Sequence, residues 1–372
     1  KEVWSEGLFG LPPTDIAMNI ALPEIDGRII GRAVSFKKEI EKDTLTDSSI
    51  LKYEAHIPAC EFMAELAQRW TALQHKTNSD KKVAVILPNY PNKDSRLANG
   101  VGLDTPESCI VVLDALASSG YDVGEQLPNS GTELMHWITQ VTTNDIATTM
   151  TRPHTLVFDH KDFQECFTTL SKELQEKVMQ QWGTPEEDPY FTGTGFIVSG
   201  FLLGNIFVSI QPSRGYNQDP QAIYHSPDLP PTYQYLAYYF WLQKEYQADA
   251  VIHLGKHGNL EWLPGKSVSL DPESCFPAAV FGALPHFYPF IINDPGEGTQ
   301  AKRRNQAVIL DHLIPPMTRA ESYGSLIKLE HLVDEYYEAS SLDPKRSRVL
   351  EKEIAQLVKE TKLNVDLGIS SD

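Results

Sequence analysis

The run Val83-Ala-Val-Ile-Leu87 decides the fold class of this chain. Such a continuous apolar run is typical of a strand that is buried on both faces of a parallel sheet. After a loop rich in Gly, Asn and Pro, Thr105-Pro-Glu107 predicts a helix start, with Thr105 as the N-cap and a proline at the first helical position. The helix is expected to end near Ser119, where Gly120 provides a stop. Residues 82–123 are therefore predicted to form one Rossmann-like strand–loop–helix unit.

The same alternation recurs further along the chain. Predicted strands at 205–211 and 248–254 flank a predicted aromatic-rich helix at 232–246. Alternating strands and helices favour an α/β fold with a parallel sheet, in which ligands bind in the loops that follow the carboxyl ends of strands. Two loops are therefore expected to matter most, residues 211–216 and 255–266.

The predicted organisation is an α/β fold in two lobes with a C-terminal helical segment. Residues 1–135 are assigned to a first α/β domain, 136–320 to a second that carries the functional loops, and 321–372 to the helical segment. There, one predicted helix has an apolar face and a second begins at Asp343-Pro344. The apolar positions are Leu326, Leu329, Leu332, Val333 and Tyr336 in the first helix and Val349, Leu350, Ile354 and Leu357 in the second.

The composition is that of a globular protein, with 41% hydrophobic and 22% charged residues. A net charge of −18 argues against nucleic acid and anionic membranes as partners, because both require clustered cations.

No run approaches the roughly 18 apolar residues that span a bilayer, and the first residues lack the apolar stretch of a signal peptide. We therefore expect a cytoplasmic protein with no integral membrane association and with reduced cysteines. The abrupt start at Lys1 is expected of a piece of a longer chain.

The segment His253-Leu-Gly-Lys-His-Gly-Asn-Leu-Glu-Trp-Leu-Pro-Gly-Lys266 carries the strongest chemical pattern. Imidazole and carboxylate suit borderline divalent metals, and both groups can accept a proton. Gly255 and Gly258 allow a large flat ligand to approach the backbone, and they favour a loop ending in a short helix over a continuous helix. A plainer interpretation stays open, in which the histidines hydrogen-bond the loop backbone and Glu261 caps a helix.

Two familiar motifs are excluded in this segment. A zinc protease motif needs glutamate directly after its first histidine, and this chain has Leu254 there. A phosphate loop needs a glycine five residues before Gly265, and this chain has Leu260. An ATP site is therefore not expected here.

A second pattern is Asn293-Asp-Pro-Gly-Glu-Gly-Thr-Gln-Ala-Lys-Arg-Arg304. It predicts a turn followed by a helix that Thr299 caps, with Lys302, Arg303 and Arg304 in the first turn. Cations there oppose the helix dipole. Either Asp294 and Glu297 neutralise them, or the cations and helix amides together receive an anionic ligand. The spacing favours neither alternative.

A weaker pattern is Gln211-Pro-Ser-Arg-Gly-Tyr216, which places Arg214 in a tight turn after a predicted strand. Arginine can bind a carboxylate through two hydrogen bonds. Most loop arginines only face solvent, so this position alone carries little weight.

Taken in order, these segments resemble one family, the large subunits of cobaltochelatase (the CobN type) and of magnesium chelatase (the H subunit). The forms Leu-Gly-Lys-His-Gly-Asn-Leu-Glu-Trp-Leu-Pro-Gly and Asn-Asp-Pro-Gly-Glu-Gly-Thr-Gln are more similar to the cobalt branch. The large subunits of this family are much longer, so the chain corresponds to a central portion. The segments that carry the resemblance are 15–24, 27–30, 99–106, 211–216, 253–266, 293–304 and 315–322.

The resemblance implies an ATP-dependent metal chelatase subunit that binds a tetrapyrrole and inserts Co²⁺. The expected substrate is a corrin precursor such as hydrogenobyrinic acid a,c-diamide, in cobalamin biosynthesis. Two AAA+ type partner subunits would bind ATP-Mg and hydrolyse the nucleotide. Two alternatives remain: the magnesium branch, with Mg²⁺ and protoporphyrin IX in chlorophyll biosynthesis, and a non-catalytic tetrapyrrole-binding or scaffold module.

The expected site follows from these segments. His253, His257 and Glu261 are predicted to bind the metal and to accept protons from the macrocycle nitrogens, and Glu297 is predicted to act as a second base. The cations predicted to bind substrate carboxylates are Arg214, Lys256, Lys266, Lys302, Arg303 and Arg304.

Overall fold

A computed structural model of the chain describes residues 1–89, 94, 97–98, 100, 102–149, 151–154, 156–215, 227–291, 295–312 and 325–360. The described residues up to His312 belong to one compact unit, and those from Ser325 to Glu360 belong to a second. In the described residues, no helix is both long enough and apolar enough to cross a membrane.

The strands are β1 (Ser35–Asp43), β2 (Ser48–Ala55), β3 (Val83–Leu87), β4 (Val157–Asp159), β5 (Gly195–Ile197), β6 (Phe201–Leu203), β7 (Ile206–Ile210), β8 (Ala250–His253), β9 (His286–Ile291) and β10 (Val308–His312).

The helices are α1 (Glu2–Glu6), α2 (Pro13–Ile16), α3 (Leu22–Ile25), α4 (Ile57–His75), α5 (Thr105–Ser118), α6 (Gly131–Gln140), α7 (Ile146–Thr149), α8 (His160–Phe167), α9 (Lys172–Trp182), α10 (Tyr233–Lys244), α11 (Phe276–Phe281), α12 (Pro295–Asn305), α13 (Ser325–Leu342) and α14 (Pro344–Glu360). A π-helical turn (Ala17–Ala21) joins α2 to α3, and short 3₁₀ helices span Asn78–Asp80, Pro185–Glu187 and Leu260–Trp262.

A six-stranded sheet, in the order β10-β9-β8-β3-β7-β6, forms the centre of the first unit. Every neighbouring pair is parallel except β6 with β7, which is an antiparallel pair at the edge. The predicted α/β fold with a parallel sheet is therefore confirmed. Two smaller antiparallel pairs, β1–β2 and β4–β5, lie outside this sheet.

Strand β3 shows why its sequence is apolar throughout. Alternate residues of a strand face opposite sides of a sheet. Ala84 and Ile86 belong to the hydrophobic core that contains α10, whereas Val83, Val85 and Leu87 belong to the core that contains α5 and α6. Helices cover both faces, so neither face of the strand can be polar.

The predicted elements of the sheet match the structure closely, with small errors at helix starts. The α10 prediction was correct at its start, where the Thr232 hydroxyl accepts a hydrogen bond from Tyr235 N at 3.1 Å. The cap of α5 is Asp104, whose carboxylate accepts from Glu107 N at 3.2 Å, so the prediction of Thr105 was one residue late. Both Asp and Thr are good caps, and the acidic residue precedes the proline by one more position.

The division into domains can be compared with the sheet. Strand β3 lies between β7 and β8, so strands on both sides of the predicted 135/136 boundary share one sheet. That boundary falls inside the first compact unit, and the predicted 320/321 boundary falls between the described parts of the two units.

The second unit consists of α13 and α14, which pack through Leu332, Ala339, Leu350 and Leu357. Leu329, Tyr336 and Ile354 adjoin this cluster, as their spacing predicted. Val349 is 55% exposed, which corrects its placement on the apolar face. The side chain of Leu326 lies outside the described residues.

Candidate functional site

The site lies at the carboxyl edge of the central sheet. Ile86 pairs with His253 and Leu87 pairs with Ile210, so β3, β7 and β8 end side by side. The loops that follow β7 and β8 are in contact, because Asn259 Nδ2 donates to Pro212 O at 3.0 Å. The structure thus brings together the two loops that the sequence singled out, apart from Tyr216, which lies outside the described residues.

Glu297, in the first turn of α12, is the most highly hydrogen-bonded carboxylate of the site. Its Oε2 accepts from His257 Nδ1 at 2.7 Å. Its Oε1 accepts from Tyr288 OH at 2.8 Å and from Gly258 N at 3.2 Å. The side chain is 4% exposed. Three donors therefore converge on this one buried carboxyl group and fix its orientation.

Glu261 lies beside this carboxylate, on the 3₁₀ helix after the loop. It is 3% exposed, and its Oε1 lies 3.5 Å from the Tyr288 hydroxyl oxygen, whose hydrogen is donated to Glu297. Burial, and then the negative charge of Glu297, raise the pKa of Glu261 to about 8, and the charges of Arg304 and Arg214 oppose this rise. This raised pKa favours the protonated form of Glu261 near neutral pH.

Gly258 packs tightly against the side chains of this site. A Cβ atom at this position would lie 2.7 Å from Tyr288 OH and 2.9 Å from Glu261 Oε2. No side chain fits there without moving one of these groups, which is a physical reason for glycine in this part of the motif.

The hydrogen bond to Glu297 fixes the tautomer of His257. A carboxylate only accepts, so Nδ1 carries the proton and Nε2 of the neutral ring carries the lone pair. The His257 side chain is 32% exposed. A carboxylate that orients an imidazole in this way is the arrangement that supports metal-binding histidines and raises their basicity.

His253, the third predicted ligand, is buried beneath the loop. Its Nδ1 lies 2.7 Å from His286 Nε2, and its Nε2 lies 3.1 Å from Tyr239 OH. Burial, and then His286, lower the pKa of His253 well below its usual range. Both ring nitrogens are engaged within the protein, and the neutral ring has no lone pair left for a metal in this arrangement.

The three predicted ligands therefore do not form a ready-made metal site. In the part of the chain that the structure describes, no three His, Cys, Asp or Glu side chains are grouped closely enough to hold a metal ion. The individual roles of His257 and Glu261 toward a metal stay predictions.

The prediction for α12 was wrong at its start. The helix begins at Pro295, and the Thr299 hydroxyl donates to Pro295 O at 2.7 Å from within the helix. Glu297 is in the first turn and the three cations are in the last turn, where each charge suits the helix dipole. No unfavourable cation cluster remains to be explained, and Asp294 lies outside the described residues.

Three of the predicted substrate-binding cations have protein partners instead. Arg303 makes two hydrogen bonds of 2.8 Å to the carboxylate of Glu24. Lys266 is 4% exposed, and its Nζ donates to Ser5 O at 3.0 Å. Arg304 is 6% exposed and donates to the backbone of the site loop. These contacts hold all three side chains against other parts of the protein, and their roles toward substrate stay predictions.

The other three predicted cations lie on the segments that carry the site. Arg214 is buried, donates to Leu229 O at 3.3 Å, and its charge acts on Glu261. Lys256 is buried next to His257 in the chain, and Lys302 is half-buried on α12. Their roles toward substrate stay predictions.

The sequence did not single out Tyr288, His286 or Asn305, all of which contact the site. His286 and Tyr288 are two residues apart on β9, so their side chains lie on the same face of the sheet, where both contact the His253 ring of β8. The available signal was a pair of polar side chains at alternate positions of an otherwise apolar strand.

A cavity of about 630 Å³ lies elsewhere, between the N-terminal helices and the β1–β2 hairpin. Trp4, Ile20, Arg32 and Tyr53 are among its lining residues, and none of the predicted site residues is. This cavity is separate from the carboxylate pair.

Comparison with known proteins agrees with the geometry. The model of the CobN/magnesium chelatase family matches residues 1–372. The aerobic cobaltochelatase subunit CobN of Pseudomonas aeruginosa is 49% identical over 369 residues, which cover 99% of this chain and 29% of that protein. The CobN subunit of a Sinorhizobium species is 48% identical over 366 residues, or 98% of this chain and 28% of that protein.

More distant and structural relatives give the same result. The magnesium-chelatase H subunit of Chlorobaculum parvum is 31% identical over 341 residues, or 91% of this chain and 25% of that protein. The solved catalytic subunit of cobaltochelatase from Mycobacterium tuberculosis is 39% identical with a TM-score of 0.75, and the match covers 100% of this chain and 31% of that one. The chain thus spans less than a third of the length of these relatives. It belongs to the CobN/magnesium chelatase family.

Proposed function

We propose that this chain forms part of the metal-inserting centre of a cobaltochelatase large subunit, where Glu261 and the Glu297–His257 pair receive the protons that leave a tetrapyrrole as Co²⁺ enters. The observation that carries the proposal is the pair of buried carboxyl groups that share Tyr288 OH, at 2.8 Å from Glu297 and 3.5 Å from Glu261. The cobalt branch is favoured over the magnesium branch because the CobN relatives are 48–49% identical and the H subunit relative is 31% identical.

Metal insertion needs bases as well as a metal site. When a divalent metal enters a macrocycle, each N–H bond that it replaces breaks, the electron pair of that bond forms a nitrogen–metal bond, and the proton moves to an acceptor. A corrin ring gives up one such proton, whereas a porphyrin gives up two. Glu261 in its ionised form is the proposed acceptor for the corrin proton. The Nε2 atom of His257 is a second proposed acceptor, and an imidazolium formed there would be stabilised by the Glu297 carboxylate at 2.7 Å.

The macrocycle would be a corrin precursor with carboxylate and amide side chains, such as hydrogenobyrinic acid a,c-diamide. We propose Arg214, Lys256 and Lys302 as the cations that attract its carboxylates. For Lys266, Arg303 and Arg304, the protein contacts described above favour a role in holding the N-terminal segment and the site loop in place.

We further propose that ATP-Mg is bound and hydrolysed by two AAA+ type partner subunits in a cytoplasmic complex. The family resemblance and the lack of a phosphate-loop sequence in the 253–266 segment support this division of labour.

The test is metal insertion by the full-length protein assembled with its partner subunits and ATP. Co²⁺ with the corrin precursor and Mg²⁺ with protoporphyrin IX are compared side by side through the absorption change of each macrocycle. Glu261→Gln is compared with Glu273→Gln, a control in which an exposed acid nearby loses its charge. We expect cobalt insertion to fall by about 100-fold or more in Glu261→Gln and to be unchanged in the control.

Other outcomes have distinct meanings. Insertion of Mg²⁺ but not Co²⁺ would place the protein in the magnesium branch. Macrocycle binding without insertion of either metal would favour the scaffold alternative. Full turnover of Glu261→Gln would remove this residue from the chemistry.

A further inference from the structure

The last turn of α12 holds the backbone of the site loop. Arg304 Nη1 donates to Glu261 O, Nη2 donates to Leu263 O at 2.8 Å, and Nε donates to Lys266 O at 3.0 Å. The side chain is 6% exposed. Its planar group therefore uses nitrogen atoms on both edges to fix three carbonyl groups of one short segment, which a lysine cannot do.

The next residue, Asn305, holds the peptide group on the other side of Glu261. With the Asn305 amide in the orientation that satisfies both neighbours, its oxygen accepts from Glu261 N at 2.9 Å and its nitrogen donates to Arg304 O at 3.0 Å. Asn305 is fully buried. Glu261 thus has its N–H fixed by Asn305 and its C=O fixed by Arg304.

A buried pair of imidazoles in turn anchors Asn305. His286 Nδ1 lies 3.1 Å from Asn305 O, which can only accept, so this nitrogen donates. His286 Nε2 must then accept from His253 Nδ1 at 2.7 Å, and His253 Nε2 accepts from Tyr239 OH at 3.1 Å. Each donor has one acceptor, so the chain of bonds runs in one direction from α10 through β8 and β9 to the end of α12.

We infer that Arg304 and Asn305 form a positioning clamp for Glu261, anchored through His286 and His253, and that Arg304 does not bind substrate carboxylates. The inference rests on the proposed function, because it assigns the clamp to the residue that takes up a macrocycle proton. A misplaced carboxyl group slows proton transfer without weakening macrocycle binding.

The experiment uses Arg304→Lys and Asn305→Ala in the full-length protein within its assembled enzyme. The first keeps the charge and loses the three-way contact, and the second removes the oxygen that accepts from Glu261 N. Both are expected to lower kcat for Co²⁺ insertion by about 10- to 100-fold. The Kd for the corrin precursor, measured by optical titration, should stay within about twofold of the wild-type value. Arg69→Lys, a surface arginine paired with Glu65, is the matched control and should change neither.

Combining Arg304→Lys with Glu261→Gln separates failure of the clamp from failure of the proposed function. If Arg304 acts through Glu261, the double variant is as slow as Glu261→Gln alone. Rates that multiply, or a clearly weakened macrocycle Kd in Arg304→Lys, would overturn the clamp alone. Wild-type turnover of Glu261→Gln would overturn the proposed function itself. Asn305→Ala with wild-type kcat would also overturn the clamp, even if Arg304→Lys failed to fold.

Discussion

Replacing Glu261 with Gln is expected to stabilise the chain, increasingly so as the pH rises. The ordinary pKa of this carboxyl group is 4.5, and burial beside Glu297 raises it to about 8. Between these two values the folded state holds a proton that the unfolded state has lost, so the stability that wild-type Glu261 contributes falls as the pH rises and levels off above the folded pKa. At 1.36 kcal/mol per pKa unit, the loss between about pH 6 and 9 is roughly 2 to 3 kcal/mol.

Urea unfolding of the wild-type chain and of Glu261→Gln across this pH range measures the difference. Glutamine keeps the shape of the side chain and has no charge to bury, so the stability advantage of the variant should grow by roughly 2 to 3 kcal/mol toward high pH. Glu273→Gln, at an exposed position, should show no such trend. A constant difference between wild type and Glu261→Gln would refute the claim that Glu261 is a destabilised carboxyl group kept for function.

Three further substitutions test the geometry around this group. His257→Gln should raise the Co²⁺ concentration needed for half-maximal insertion by about 10- to 100-fold. His253→Gln should leave that concentration nearly unchanged. Equal effects of the two substitutions would contradict the distinction between the two histidines. Gly258→Ala should lower turnover by about 100-fold, because its Cβ would lie 2.7 Å from Tyr288 OH, and wild-type turnover would show that the two acids need no close packing. Tyr288→Phe removes a donor to Glu297 and should cost about 1 to 3 kcal/mol of stability in thermal unfolding, with an unchanged midpoint as the contradicting result.

Local sequence patterns were sufficient to predict most strands of the central sheet and the helices that cover it. The apolar run of β3 requires cover on both faces, and the structure provides it with α10 on one side and α5 and α6 on the other. The start of α10 was predictable because Thr232 is an isolated cap before a long aromatic run. The order of the strands was not predictable, since pairing of β3 with both β7 and β8 depends on distant segments.

The error in α12 came from choosing between two local signals. Thr299 is a good cap by residue type, but Pro295 with Glu297 in the first turn is a competing start one turn earlier. Because the helix begins at Pro295, Arg303 and Arg304 lie in its last turn and not in its first. The argument from the helix dipole for an anionic ligand at these cations depended on that choice, whereas their assignment to substrate carboxylates also came from the family resemblance.

The site itself was partly predictable. The motif located His257 and Glu261, and Glu297 came from the second segment. Tyr288 and His286 enter the site because β9 lies next to β8, which no local pattern specifies. For the same reason the sequence could not show that His253, the last residue of β8, engages its neighbouring strand through His286.

The most direct test of the central claim is the pH dependence of Co²⁺ insertion at saturating macrocycle, for wild type and Glu261→Gln. If ionised Glu261 takes up a macrocycle proton, the wild-type rate should rise with pH and level off above an apparent pKa near 8. Glu261→Gln should be slow and lack this rise. A variant with the same pH profile and rate as wild type would contradict the assignment of Glu261 as the proton acceptor.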